Sequence, residues 1–133
     1  MYVITLQRPE KPIRTVAVTR QAKGEYRFIR QQSEPGRYGH VVMVVEPDTD
    51  EAFTLEWAVD PSLVSKDWIA AVVDGIQSCS ELDGPFPGCA FVRTRVRVVG
   101  GSSHAVDSNE LSYRIAAARA FAQTVENAGL KDA

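Results

Sequence analysis

The order of elements legible in the sequence predicts an α+β fold in two layers, a β-sheet with two helices covering one of its faces. Three observations carry this reading. Residues 2–59 hold short runs of β-branched and aromatic residues separated by turn-forming ones. Two later stretches space their apolar residues three and four apart, as a helix with one buried face requires. Between those stretches, residues 91–99 alternate apolar residues with Arg, the two-residue period of a half-buried strand.

Each element follows from its residues. Residues 2–6 read as a short strand, followed by a turn bounded by Pro9 and Pro12. Residues 13–19 and 25–31 alternate as strands, and the 21–24 segment between them has a length that suits a hairpin. Residues 32–37 form a loop by their turn chemistry. The nearly continuous apolar run at 40–45 is expected to be a central strand buried on both faces, with His40 satisfying a core hydrogen bond. Asp48, Thr49 and Asp50 make a turn, and 52–59 is the next strand.

The first helix is expected from Lys66 to about Ser80. Ser65 caps it, and Asp67 complements the helix dipole in the first turn. Ile69, Val72, Val73 and Ile76 give its buried face. Gly75 in the interior costs about 1 kcal/mol relative to Ala, which points to close packing against the sheet. Residues 83–88 form an irregular loop. In the 91–99 strand, Val92, Thr94, Val96 and Val98 share one face and Arg93, Arg95 and Arg97 the other. Residues 100–104 are a loop, and Asp107 or Ser108 caps a long second helix, Asp107 and Glu110 having capping-box spacing. Its expected buried stripe is Leu111, Ile115, Ala118, Phe121, Ala122 and Val125. Gly129 ends it, and the last few residues fray.

At 133 residues the chain fits a single domain, 1–133, with one core. Hydrophobic content of 44% with 24% charged residues argues against a disordered chain. No apolar run approaches the ~20 residues of a membrane span, so no membrane partner is expected. There is no basic segment followed by an apolar stretch at the start, and a cytoplasmic location is expected. Cys79 and Cys89 suit free thiols in a reducing compartment. His40 and His104 stand apart with no ligand spacing, so no metal is expected. No Gly-x4-Gly-Lys-Ser/Thr cradle occurs, so neither nucleotide nor other cofactor is expected. No nucleophile–base motif occurs either, and the chain is read as no enzyme, without catalytic residues.

Net charge is −2, but it is unevenly spread. Residues 1–40 carry eight Lys/Arg against three Asp/Glu, residues 41–90 one against ten, and residues 91–133 six against four. Such asymmetry marks either a surface that faces a polyanion or basic and acidic strands lying side by side.

Three segments carry a family resemblance. Arg37-Tyr38-Gly39-His40-Val41-Val42, preceded by Arg30-Gln31-Gln32-Ser33, resembles the Gly-rich loop and strand that open domain IV of elongation factor G. Trp68-Ile69-Ala70-Ala71-Val72 with Gly75-Ile76 resembles that domain's first helix. Gly101-Ser102-Ser103-His104-Ala105-Val106-Asp107-Ser108-Asn109-Glu110 is similar to its Gly-Ser-x-His-x-Val-Asp-Ser-Ser-Glu motif, and Ala116-Ala117-Ala118 with Ala120-Phe121 to the helix that follows. The segments come in order over residues 12–127. The chain departs from the family at Ser33-Glu34-Pro35-Gly36, which replaces Gly-Gly-Arg-Gly, at Arg93, and at residues 61–65.

The resemblance implies a four-stranded sheet with two helices and a left-handed βαβ crossover, a hand that periodicity does not reveal. Residues 2–6 would be a short extra N-terminal strand. It implies a non-enzymatic module of translation that contacts RNA of the ribosome small subunit, without counterparts of the family's GTPase, second, third and fifth domains. The tip loops it implies hold Gln32, Ser33, Gly36, Arg37, Tyr38, Gly101, Ser102, Ser103 and His104, with Arg37 and His104 at one end of the molecule. His104 would stack on a base or donate to phosphate, and Arg37 would supply charge. The alternative is a protein-interaction module, with a protein partner or a second copy, that kept the fold and left the ribosome. Arg93, Arg95 and Arg97 separate the two readings: they are an open basic face or are paired with Glu46, Glu56 and their neighbours. Residues 2–6 either cover apolar surface within the chain, the favoured outcome, or pair with a second copy.

Overall fold

The computed structural model describes residues 2–30 and 36–133. Among the described residues, eight strands and two helices follow one another: β1 (Tyr2–Thr5), β2 (Arg14–Val18), β3 (Ala22–Arg30), β4 (Arg37–Pro47), β5 (Phe53–Trp57), α1 (Ile69–Ser78), β6 (Cys89–Phe91), β7 (Thr94–Ser102), α2 (Glu110–Ala128) and β8 (Leu130–Asp132). The main sheet has the order β1-β5-β7-β4-β3. The apolar run of 40–45 lies inside β4, which is antiparallel to β3 on one side and β7 on the other. β5 and β7 are parallel neighbours joined through α1, a βαβ unit. The extra strand β1 pairs antiparallel with β5 and extends the sheet within the same chain. Leu6, just beyond it, is only 2% exposed.

The first helix begins as expected, through a 3₁₀ turn at Lys66–Trp68 whose Asp67 N–H donates to Ser65 Oγ at 3.1 Å. Val72 and Ile76 face the core. Gly75 has a different neighbour from the one expected. A Cβ there would run into the main-chain carbonyl of Arg114, so the glycine lets α1 approach α2, not the sheet.

α2 lies across β3 and β4. Neither Asp107 nor Ser108 caps it; Asn109 does, its Oδ1 accepting from the Ser112 N–H at 2.9 Å. Its buried face is also rotated from the expected stripe. Leu111 is 42% exposed, whereas Tyr113, Ala116, Ala117, Ala120, Phe121, Thr124 and Val125 are buried. The small alanines let the helix axis come close to the strands. At Gly39, a Cβ would lie 2.5 Å from the Ser112 carbonyl oxygen. Replacing Asn109 by Ala is expected to lower stability by about 1 kcal/mol, through loss of the cap. A shift of the urea midpoint without change in slope checks it.

A second sheet of order β6-β2-β8 corrects three expectations. First, β2 and β3 are not a hairpin. β2 pairs parallel with β6 and antiparallel with β8, while β3 pairs with β4. Val16, Ala17 and Val18 are all buried, so β2 needs cover on both faces, which pairing with half-exposed β3 does not supply. Second, the 91–99 strand is broken. β6 ends at Phe91 in the small sheet, and Arg93 adopts a left-handed φ of 47° as the chain crosses to β7. β7 then runs on to Ser102, through residues expected to be loop. Third, the C-terminus does not fray but forms β8. Phe53, Phe86, Phe91 and Phe121 join the two sheets and α2, with ring centroids 5.1–6.0 Å apart.

Cys79 and Cys89 are both free and buried. Burial, reinforced by Glu81, pushes the Cys79 thiol up to about 12. Its folded value lies above the ordinary 9.0, so its contribution to stability is complete below about pH 9 and is lost as pH rises towards 12. Cys79 is therefore expected to resist iodoacetamide at pH 8 in the folded chain and to react on unfolding in urea, as mass spectrometry of its peptide would read out.

Candidate nucleic-acid interface

One end of the molecule gathers the start of β4, the end of β7 and the 103–109 connection into α2. Local sequence makes this convergence. β7 carries a bulge, its register passing from Val98 opposite Met43 to Gly100 opposite Val42. Gly101 has φ 148°, and a Cβ there would run into the His40 carbonyl. Only a glycine lets the two strands close so tightly at this end. The Tyr38 N–H then donates to the Asp107 carbonyl at 2.9 Å, and Tyr38 bridges to Ser108.

A chain of hydrogen bonds ties the strands together behind this surface. Tyr38 OH lies 2.7 Å from Ser102 Oγ, Ser102 Oγ 2.8 Å from His40 Nδ1, and His40 Nε2 2.8 Å from Glu25 Oε2. With the imidazole neutral, Tyr38 donates to Ser102, Ser102 to Nδ1, and Nε2–H to the carboxylate. His40 is 8% exposed, so the core hydrogen bond expected of it is present and doubled. Its hydrogen bond, and then its charge when protonated, hold the Glu25 carboxyl below the ordinary carboxylate value. Tyr113 OH donates to the Ser102 carbonyl at 2.9 Å, and its ring stacks on Trp68. Burial raises the Tyr113 phenol above its usual value and so preserves this donor.

In front of the network, His104 is oriented by its own loop. Its Nδ1 accepts the backbone N–H groups of Val106 at 3.2 Å and Asp107 at 3.1 Å, and its own N–H donates to Ser108 Oγ at 2.9 Å. Asp107 Oδ2 also stands 3.7 Å from Nδ1, but with the Nδ1 lone pair turned to the backbone, the backbone bonds define the geometry. The ring proton is then on Nε2, and the side chain is 44% exposed. The Tyr38 and His104 rings stand 6.1 Å apart between centroids.

Of the residues expected at the tip, Arg37, Tyr38, Gly101, Ser102, Ser103 and His104 come together here, and Gly36 lies against Asp107. Gln32 and Ser33 lie outside the described residues. Arg93, Arg95 and Arg97 are elsewhere, each against a carboxylate. Arg93 meets Glu51 at 2.9 Å, Arg95 meets Asp48 at 3.2 Å and Glu46 at 3.7 Å, and Arg97 meets Glu56 at 3.2 Å. Of the two arrangements left open for these arginines, the structure has the paired one. Glu25 and Tyr113 were not legible as site residues. Glu25 reaches His40 only through the β3–β4 register, and Tyr113 reads in sequence as one more helix position. Among the described residues no group of His, Cys, Asp or Glu is arranged to hold a metal ion. No helix among them is long and apolar enough to cross a membrane.

Comparison with known proteins bears on the family and the fold. The family described as Elongation factor G, domain IV matches residues 13–129. Elongation factor G of Thermotoga petrophila is 34% identical over 114 residues, which are 84% of this chain and 16% of that protein. The Thermotoga maritima elongation factor G is 33% identical over the same shares. A crystal structure of a Thermus thermophilus protein superposes with a TM-score of 0.78 at 25% identity, covering 92% of this chain and 18% of the other. The chain thus spans about one sixth of the length of these relatives.

Proposed function

Because this chain belongs to the elongation factor G domain IV family, we propose that it is a non-catalytic RNA-binding module that touches the small ribosomal subunit with the end formed by residues 36–38 and 101–108. The observation that supports this most is the pairing of exposed Arg37 with an outward-facing His104 on two segments locked together by Tyr38, Ser102 and Ser108. Arg37 offers a planar fork for phosphate. The His104 ring offers a face for stacking and an Nε2–H donor. Nothing in this arrangement activates a nucleophile or binds a nucleotide, and the module is read as acting by contact alone, in the cytoplasm.

Co-sedimentation with purified small subunits at low and moderate salt tests the reading. Losing one stacking or charge contact at the tip is worth about 1–3 kcal/mol, so Arg37→Ala with His104→Ala is expected to weaken binding at least about tenfold. Undiminished binding by that double variant, or no binding by the wild-type chain, would sink the proposal. A second reading, a protein-interaction module, draws on exposed Ile13 and Leu82, which flank an open cleft of 550 Å³ between the 7–13 segment and the end of α1.

A further inference from the structure

The two edges of the main sheet differ in chemistry. β3 forms one edge and carries Lys23, Glu25, Arg27 and Arg30. Charges along an edge strand keep another chain from pairing with it. β1 forms the other edge and holds no charged residue and no proline. Its Tyr2 is 50% exposed and its Val3 68%. Clefts open beside it on both faces, one lined by Tyr2, Trp57, Val59 and Pro61, the other by Val3, Thr54 and Glu56.

Register decides which groups of β1 are left over. The Leu6 N–H donates to the Phe53 carbonyl at 2.8 Å, and Ile4 and Tyr2 stand opposite Leu55 and Trp57. Hydrogen-bonded pairs alternate along an antiparallel ladder, so Tyr2, Ile4 and Leu6 turn their main chain towards β5. Val3 and Thr5 turn theirs outward, and among the described residues their N–H and C=O groups meet no partner. The side chains alternate as well. Tyr2, Ile4 and Leu6 share the core face with Trp57, Leu55 and Phe53, while Val3 and Thr5 share the open face with Glu56 and Thr54.

We propose that the β1 edge pairs with the same edge of a second copy, antiparallel about a two-fold axis at Ile4, so that two five-stranded sheets become continuous. The outward groups fix the register. Val3 of each copy faces Thr5 of the other, and each such pair exchanges two main-chain hydrogen bonds. Ile4 then meets Ile4 of the other copy across the axis, and Tyr2 meets Leu6. Apolar side chains oppose one another on the core face, β-branched ones on the open face, and no like charges are set opposite. A copy is the occupant because its edge leaves over the same groups at the same spacing, so one pairing satisfies both chains. Association stops at two, since the charged β3 strands are then the outer edges. The axis reverses strand direction, so the two His104 ends point opposite ways. None of this depends on the RNA reading.

Sedimentation equilibrium over about 5–500 µM tests the inference, a range suited to an edge smaller than the about 800 Å² per partner of a standard interface. The mass is expected to rise from that of one chain to that of two. Val3→Pro removes an outward N–H and no bond to β5. By symmetry it deletes one hydrogen bond from each pair, and it is expected to weaken the dimer at least about tenfold. Val3→Lys, which puts a charge on the edge, should do the same. Val106→Lys, at a residue 78% exposed elsewhere on the surface, should change nothing. Unchanged urea midpoints certify that the variants are folded. Ile4→Cys places two thiols across the axis with Cα atoms about 4.5 Å apart, within disulfide reach. It should cross-link as a dimer on mild oxidation, whereas Val106→Cys should not, the native Cys79 and Cys89 being buried. A single-chain mass at every concentration overturns the inference. So does a dimer left intact by both Val3 variants, or one that Ile4→Cys does not cross-link.

Discussion

Phe121→Ala is expected to destabilise the fold by about 3–5 kcal/mol, the range for deleting a buried aromatic ring. The size follows from where the ring sits. Phe121 is fully buried on α2 and touches Phe53 of β5, Phe91 of β6 and Phe86 of the loop before it. Two of these contacts are edge-on, the geometry that adds to area burial. One truncation therefore loosens both sheets and the long helix together. Against a total stability of about 5–15 kcal/mol for a domain of this kind, the variant should be near unfolding at room temperature. Urea titration by circular dichroism would measure it. A loss below about 1 kcal/mol would mean that the cluster does not join the layers as described.

Gly75→Ala is the second, and here two effects oppose each other. Helix propensity alone favours Ala by about 1 kcal/mol. The added Cβ, however, meets the Arg114 main-chain carbonyl, which belongs to the interior of α2 and cannot turn aside. Forcing an extra methyl into a close-packed contact costs about 1–3 kcal/mol and sometimes more, so net destabilisation of up to about 2 kcal/mol is expected. The Asp74–Arg114 ion pair, 2.7 Å across the same crossing, should lengthen with it. A thermal midpoint at or above that of the wild type would show that the helices are not in backbone contact at this point.

Gly75 also marks the limit of what is legible in the sequence. A glycine inside a helix announces close packing, but not its partner. The start of α1 was legible because Ser65 and Asp67 act locally. The rotation of α2 was not, because hydrophobicity ranks Leu111 above Ala116 and Ala117. Close approach to Gly39 reverses that order. The strand break at Arg93 is not legible because the alternation of 91–99 continues across it in sequence, whereas a left-handed φ at a non-glycine is set by two sheets meeting. At the tip, the Gly-Ser-Ser-His motif and the Arg-Tyr-Gly-His strand are legible as segments because each motif is local. Their juxtaposition depends on the register of β4 against β7, and the Glu25–His40 bond on that of β4 against β3.

The pairing of β8 with β2 has a mechanical consequence. It sets the end of α2 beside the end of β2, with the Thr19 N–H donating to the Gly129 carbonyl. β3 and α2 both run between that junction and the His104 end, and the 19 residues of α2 make the distance about 28 Å. With α2 packed on the strands along this length, the two ends are joined by a stiff body. A tilt of the whole body by about 10° about that junction would sweep the His104 end through about 5 Å, without any rearrangement inside the domain.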